Sequence, residues 1–387
     1  MIYFDWNATT PLSSAARKAW LEANETSWQN SSSLYRSGAR VHNLLEEARN
    51  RLANSLGCTP DQIVFNSGAT EGVNSVFAYY ASKNGFKDRP VLLSPFEHSS
   101  VVEAAKHYFG NSVILIEKTN EGRCDPEAAE KILKKRPFAF VSMMAASNET
   151  GAIQPWQPIA KLCRDLGIPF LCDAAQWIGK CSSKSLGMSG FVTASAHKFG
   201  GPKGCGFLIV PKDADDFRGF VGGEQENGRR AGTVDYPSIA AMVAAFEESE
   251  NRVANSESVE NRLKWRQHFE KKLQERLPGT KIAGAESERL WNTVFLIAPK
   301  GNNDRWVRRL NRAGFEVSTG SACSTRKNAP SQTLAAIGFS EEESRRAIRI
   351  SSGWETTEAD WVALADALES INAEMLNDSN GAAVIQL

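Results

Sequence analysis

The sequence has no excess charge: among its 387 residues, Lys plus Arg number 45 and Asp plus Glu number 45. A balanced chain carries no long-range field of one sign, which argues against nucleic acid, an anionic membrane surface or a strongly charged substrate as its partner. It also lacks any stretch approaching about 18 uninterrupted apolar residues, and the opening residues Met1 to Pro11 contain neither a basic leader nor an apolar signal core. These absences predict a soluble, cytoplasmic protein. The seven cysteines, at 58, 124, 163, 172, 181, 205 and 323, are odd in number, scattered, and free of CxxC pairs or zinc-type spacing. They read as reduced thiols, most of them small buried residues, and no metal site is expected. Internal repeats and low-complexity segments are absent.

What is present is core-forming capacity. At 42% hydrophobic content and this length, two domains are the default. Short apolar runs at Ile63 to Phe65, Val91 to Ser94, Val113 to Ile116, Phe138 to Met144, Pro169 to Asp173, Phe191 to Ala194 and Gly206 to Val210 predict strands. Segments of helical spacing at His98 to Tyr108, Pro126 to Lys135 and Gln157 to Leu166 lie between them, as crossovers over a mostly parallel sheet require. From Pro237 to Leu277 a charged helical stretch reads as a connector. Apolar runs at Thr293 to Ala298, Phe315 to Ser318 and Ala347 to Ile350 follow, then a helix opening at the capping-box-like Thr357 to Asp360 and stopping near Met375, with a frayed tail. The expectation is an α/β protein with a large domain over residues 12–250 and a small α/β domain from residues 1–11 and 251–387.

Three segments carry chemistry. Ser195-Ala-His-Lys-Phe-Gly-Gly-Pro-Lys-Gly204 follows a predicted strand, and Asp173-Ala-Ala-Gln176 ends the preceding one. A lone lysine is usually a surface residue and a lone aspartate a helix cap, but open α/β sheets bind ligands beyond the carboxyl ends of their strands, where these two could meet. A lysine amine with a carboxylate suits pyridoxal 5'-phosphate (PLP), which needs a lysine for its aldehyde and an anion that keeps its pyridine nitrogen protonated. Asn66-Ser-Gly-Ala-Thr-Glu71 adds a glycine turn into a helix N-terminus, suited to a phosphate although equally readable as a plain loop.

Together these segments resemble the cysteine desulfurases of the class V aminotransferase group, fold-type I PLP-dependent enzymes. Further matching segments are Asp5-Trp-Asn-Ala-Thr-Thr-Pro11, Glu97-His98, Asn148-Glu-Thr-Gly151, Gly228-Arg-Arg-Ala-Gly-Thr233, Ser321-Ala-Cys-Ser324 and Arg349-Ile-Ser-Ser-Gly353. The resemblance covers nearly the whole chain in the family's order. It implies that Lys198 holds PLP as a Schiff base, that Asp173 pairs with the pyridine nitrogen, and that His98 stacks on the ring and relays protons. Gln176 and Asn148 would lie near the phenolic oxygen. Ala69, Thr70, Ser195 and His197 would hold the phosphate, with Thr233 supplied by the other subunit of a homodimer. Arg349 would grip the substrate carboxylate through its planar fork, with Asn148 beside it.

Cys323 sits in a polar, glycine-flanked segment running to Pro330, which resembles the long-loop desulfurases that pass a persulfide to a protein acceptor. The implied reaction converts L-cysteine to L-alanine with sulfur transferred to Cys323. A selenocysteine lyase, another class V carbon–sulfur lyase or aminotransferase, and a non-catalytic scaffold are the competing readings. The sequence departs from the family's pattern at Asn30-Ser-Ser-Ser-Leu-Tyr35, Ser147, Glu224 and Asp235. These lie around the core chemistry and bear on substrate preference and partner.

Overall fold

Strands buried on both faces are what a parallel sheet flanked by helices needs, and every residue of Val91–Leu93, Val141–Met144 and Phe170–Asp173 is buried. The computed structural model describes residues 1–319 and 331–383, with side chains as far as residue 376. Its seven-stranded sheet has the spatial order Ile63–Asn66, Gly206–Ile209, Phe191–Ser195, Phe170–Asp173, Val141–Met144, Val91–Leu93, Val113–Leu115. Gly206–Ile209 is antiparallel to both neighbours, and the remaining pairings are parallel. One face packs a core including Leu52, Trp156, Ile178 and Phe246; the other packs Phe77, Tyr80, Phe109 and Phe140.

The helical stretch expected from Pro237 to Leu277 is broken at Asn255 into Tyr236–Ala254 and Ser256–Arg276. Asn255 leaves helical geometry so that its side chain can accept the Ser258 N–H at 3.1 Å, capping the second helix. A second sheet sets Thr293–Ile297 between Lys281–Ile282 and Ala347–Ser351, all antiparallel. Its core includes Phe269, Trp306, Ile348 and Trp361, and also Phe4, because the N-terminal strand Ile2–Tyr3 pairs in parallel with Phe315–Glu316. The last helix opens on the expected box, Thr357 N–H donating to Asp360 at 2.8 Å. It continues past Met375 to Ala383, since no proline there ends it. The residues that follow lie outside the described ones. Among the described residues no helix is long and apolar enough to cross a membrane.

Candidate active site

The site grows from strand ends. After Ile63–Asn66 the chain turns through Gly68, whose φ of 136° is a region side chains rarely adopt and where a Cβ would sit 2.9 Å from Ser195 Oγ. That approach lets Ser195 Oγ accept the Ala69 N–H at 2.8 Å. The helix Ala69–Ser82 therefore starts against the end of Phe191–Ser195, its partial positive charge available to an anion.

Two adjacent parallel strands deliver the next pair. Asp173 ends Phe170–Asp173, and Lys198 lies in the short helical turn after Phe191–Ser195. Asp173 is buried and accepts the Ala175 N–H at 2.9 Å. Burial pushes its carboxyl up, against the pull of that N–H, His98 and Lys198. Lys198 Nζ donates to the main-chain carbonyls of Asn7 (2.7 Å) and Ala8 (3.0 Å). His197 is pushed down to about 4 by burial and by Lys198 and Lys203, so it is neutral at physiological pH. His98 caps the helix Ser99–Phe109, its Nδ1 accepting the Ser100 N–H at 3.2 Å. A neutral ring bonded in this way carries its proton on Nε2.

Ten of the residues expected at the site line one cleft of about 190 Å³: Ala69, Thr70, His98, Asn148, Asp173, Gln176, Ser195, His197, Lys198 and Arg349. Arg349, in Ala347–Ser351, is buried; it pairs with Asp5 at 2.7 Å and donates to the Asn148 carbonyl at 3.3 Å. Among the described residues its buried Nε has no hydrogen-bond partner. Thr233 does not line the cleft; it is exposed, just beyond the hairpin of Glu224–Gln225 and Arg230–Ala231. That hairpin is fixed by a buried ion pair, Arg49 Nη1 and Nη2 to Glu226 at 2.7 and 2.8 Å, with the Phe65 N–H also donating to Glu226 at 2.8 Å. Removing one member of such a pair typically costs about 3–5 kcal/mol.

Cys323 lies outside the described residues. The chain on either side of residues 320–330 is tied to residues at or next to the cleft. Ser318 and Arg349 exchange both backbone hydrogen bonds, at 3.0 and 2.7 Å, while Ser331 Oγ donates to Glu149, the neighbour of Asn148.

The residue that sequence reasoning missed is Asn7. Its carbonyl accepts both Lys198 Nζ and, at 2.9 Å, Gln176 Nε2. Its side chain is bonded to the Asn148 carbonyl, Thr293 Oγ1 and Asn292 Nδ2 at 3.1, 2.9 and 3.0 Å, and its N–H to Ser351 Oγ at 3.0 Å. The signal available was its place inside the segment Asp5 to Pro11. None of the departures at Ser31, Tyr35, Ser147, Glu224 or Asp235 lines the cleft. Two of them do what an asparagine does at a chain turn: Ser147 Oγ accepts the N–H groups of Glu149 and Thr150 at 3.2 and 3.3 Å, and Asp235 caps a helix by accepting the Ser238 N–H at 3.1 Å.

A model of the aminotransferase class-V family matches residues 2–364, and the chain belongs to that family. Its enzymes depend on PLP in general. Within it, the chain is 32% identical over 375 residues to "Cysteine desulfurase IscS" of Dictyoglomus turgidum, covering 96% of this chain and 94% of that protein. Among solved structures, a "NifS-like protein" superposes with a TM-score of 0.87 at 28% identity, over 96% of this chain and 99% of that one. "SspA in complex with cysteine" superposes at 0.76 with 28% identity, over 91% and 98%. The fold is thus that of fold-type I PLP-dependent enzymes. The residues present fit the cofactor: one cleft joins a helix N-terminus, a lysine amine and a buried carboxylate, a combination of opposite charges that a phosphate, an aldehyde and a pyridinium nitrogen would engage.

Proposed function

We propose that this protein converts L-cysteine to L-alanine and transfers the sulfur to Cys323 as a persulfide, using PLP bound at Lys198. The observation that carries the reading is the convergence of Lys198, Asp173, His98, Gln176, Asn148 and Arg349 on one cleft. Cysteine in the SspA structure supports the choice of substrate. PLP bound there supplies an electron sink that makes the substrate's Cα proton acidic and its Cβ–S bond labile.

The protein's own groups do the rest. Asp173, buried, holds a proton on the pyridine nitrogen. Ala69, Thr70, Ser195 and the neutral His197 bind phosphate through hydrogen bonds at a helix N-terminus. Arg349, which lines the cleft, binds the substrate carboxylate through its guanidinium, and Asn148 flanks it. Lys198 Nζ takes the α-proton, and His98, which lines the same cleft, relays protons. Cys323 as thiolate attacks the substrate sulfur. One C–S bond breaks, one S–S bond forms, and the thiol proton of Cys323 ends on the alanine methyl. The balance is L-cysteine plus Cys323 thiol giving L-alanine plus Cys323 persulfide.

Incubation of the purified protein with PLP, L-cysteine and a reducing thiol tests the reading: alanine and sulfide should appear in equal amounts. Sulfide with pyruvate, or amino transfer to a 2-oxo acid, would instead mark another class V reaction. The persulfide is proposed to pass to a protein acceptor in the cytoplasm.

A homodimer belongs to the same proposal. Thr233 stands exposed at the end of a firmly held hairpin, available to the phosphate end of a partner's cleft. Thr233→Ala is expected to weaken PLP retention about 10-fold, the loss of one hydrogen bond to a charged group, without lowering the thermal midpoint of the apoprotein. Sedimentation should give a dimer, and a fully active monomer would rule the arrangement out.

A further inference from the structure

Lysines are almost never fully buried, because an ammonium sacrifices its hydration. Lys180 is 6% exposed and lies four residues beyond Gln176, at the end of the same turn. Among the described residues its side chain makes one hydrogen bond, Nζ donating to Gln176 Oε1 at 3.1 Å, while its main-chain carbonyl accepts Trp291 Nε1 at 3.2 Å. Burial first, then Lys198, push the amine down to about 7, and Cys181 acts the other way. Beside it lies a second cavity of about 310 Å³, whose wall it shares with Lys198, Glu248, Arg252 and Glu355. Arg252 is neutralised there by Glu248 and Glu355, at 2.7 and 2.8 Å.

The bond to Oε1 decides which way the Gln176 amide faces. Charged or neutral, Lys180 has N–H groups to donate, so the amide turns its oxygen toward Lys180. Its Nε2 is then turned to the other side, where it meets the Asn7 carbonyl beside Lys198. A reversed amide would set N–H against N–H at Lys180 and carbonyl oxygen against carbonyl oxygen at Asn7.

We propose that Lys180 is a positioning residue of the Lys198 site: by holding Oε1 of Gln176 it keeps Nε2 turned to the Lys198 side, where one N–H goes to the Asn7 carbonyl and the second would be free for the phenolic oxygen of PLP bound at Lys198. The inference rests on the reading that PLP is bound at Lys198. A donor at that oxygen stabilises its negative charge, so it lowers the pH at which the linkage gives up its proton.

The test is the pH titration of the visible absorbance of the PLP-bound enzyme, in wild type and in Lys180→Met, Lys180→Arg, Gln176→Leu and the double variant Lys180→Met/Gln176→Leu. Lys180→Met and Gln176→Leu should each raise the midpoint by about one pH unit, as expected for one hydrogen bond to a charged group. Lys180→Arg keeps the donor and has the second cavity to extend into, so it should titrate like wild type. The double variant should shift no further than either single one. An unchanged midpoint in Lys180→Met, or a shift that persists in full on the Gln176→Leu background, overturns the inference; the latter would assign the effect to the charge of Lys180 alone. If Lys180→Met yields no folded protein, Gln176→Leu decides by itself, since an unchanged midpoint there removes the group through which Lys180 acts. A wild-type protein that binds no PLP would overturn the parent reading, a result distinct from a titration that does not move.

Discussion

Cys323→Ser should bind PLP normally, respond spectrally to L-cysteine, and yet produce no persulfide. Serine lacks both the thiolate population and the polarizable sulfur needed to attack another sulfur. The loss of alanine formation should therefore exceed the ~10²- to 10⁴-fold typical of removing one general acid or base. The other cysteines offer no substitute. Cys124, Cys163, Cys172 and Cys205 are buried, and Cys58 and Cys181 partly so. Burial pushes the Cys58 thiol up to about 11, those of Cys124, Cys163, Cys181 and Cys205 to about 12, and Cys172 well above its usual range. Even for Cys58 roughly one molecule in 10⁴ is thiolate at neutral pH. Mass spectrometry after brief exposure to L-cysteine should find one added sulfur on the peptide containing Cys323. Added sulfur on another cysteine, or near-normal alanine from the serine variant, would refute the assignment.

Lys198→Ala should abolish turnover, by at least about 10³-fold, because one amine serves as both anchor and base. Borohydride reduction of wild type should fix PLP to the peptide containing Lys198, and in the variant no lysine should be labelled. The discriminating site is Lys180, a buried amine pushed down to about 7 that lines a cavity with the half-buried Lys198. Label on Lys180 in wild-type protein would move the anchor there.

Much of this arrangement was legible before any coordinates. Apolar runs of three to five residues became strands because burial on both faces leaves no room for polar alternation, as at Val91–Leu93. The ordering of Asp173 and Lys198 on neighbouring strand ends followed from the same pattern. Asn7 was not legible as a hydrogen-bond hub, because its partners Asn292, Thr293 and Ser351 are 285 to 344 residues away and nothing local marks it. Nothing in the sequence marks Lys180, since burial of a charged side chain is a tertiary property. The break at Asn255 was missed for the opposite reason: a cap residue inside a charged, helix-favouring stretch is outweighed in any windowed reading. The terminal helix overran its expected end for want of a stop signal.

The hydrogen bonds of Asn7 also set a timetable for synthesis. Residues forming the seven-stranded sheet lie between Ile63 and Ile209 and leave the ribosome early. The N–H of Asn7 acquires its Ser351 partner only after 344 more residues have been added. At about 5–20 residues per second, that is roughly 20–70 seconds during which the acceptor for Lys198 and Gln176 is not yet fixed. A nascent chain can thus assemble its main sheet well before it can assemble a complete site, and stable cofactor capture belongs to the last stage of translation or to the time after release.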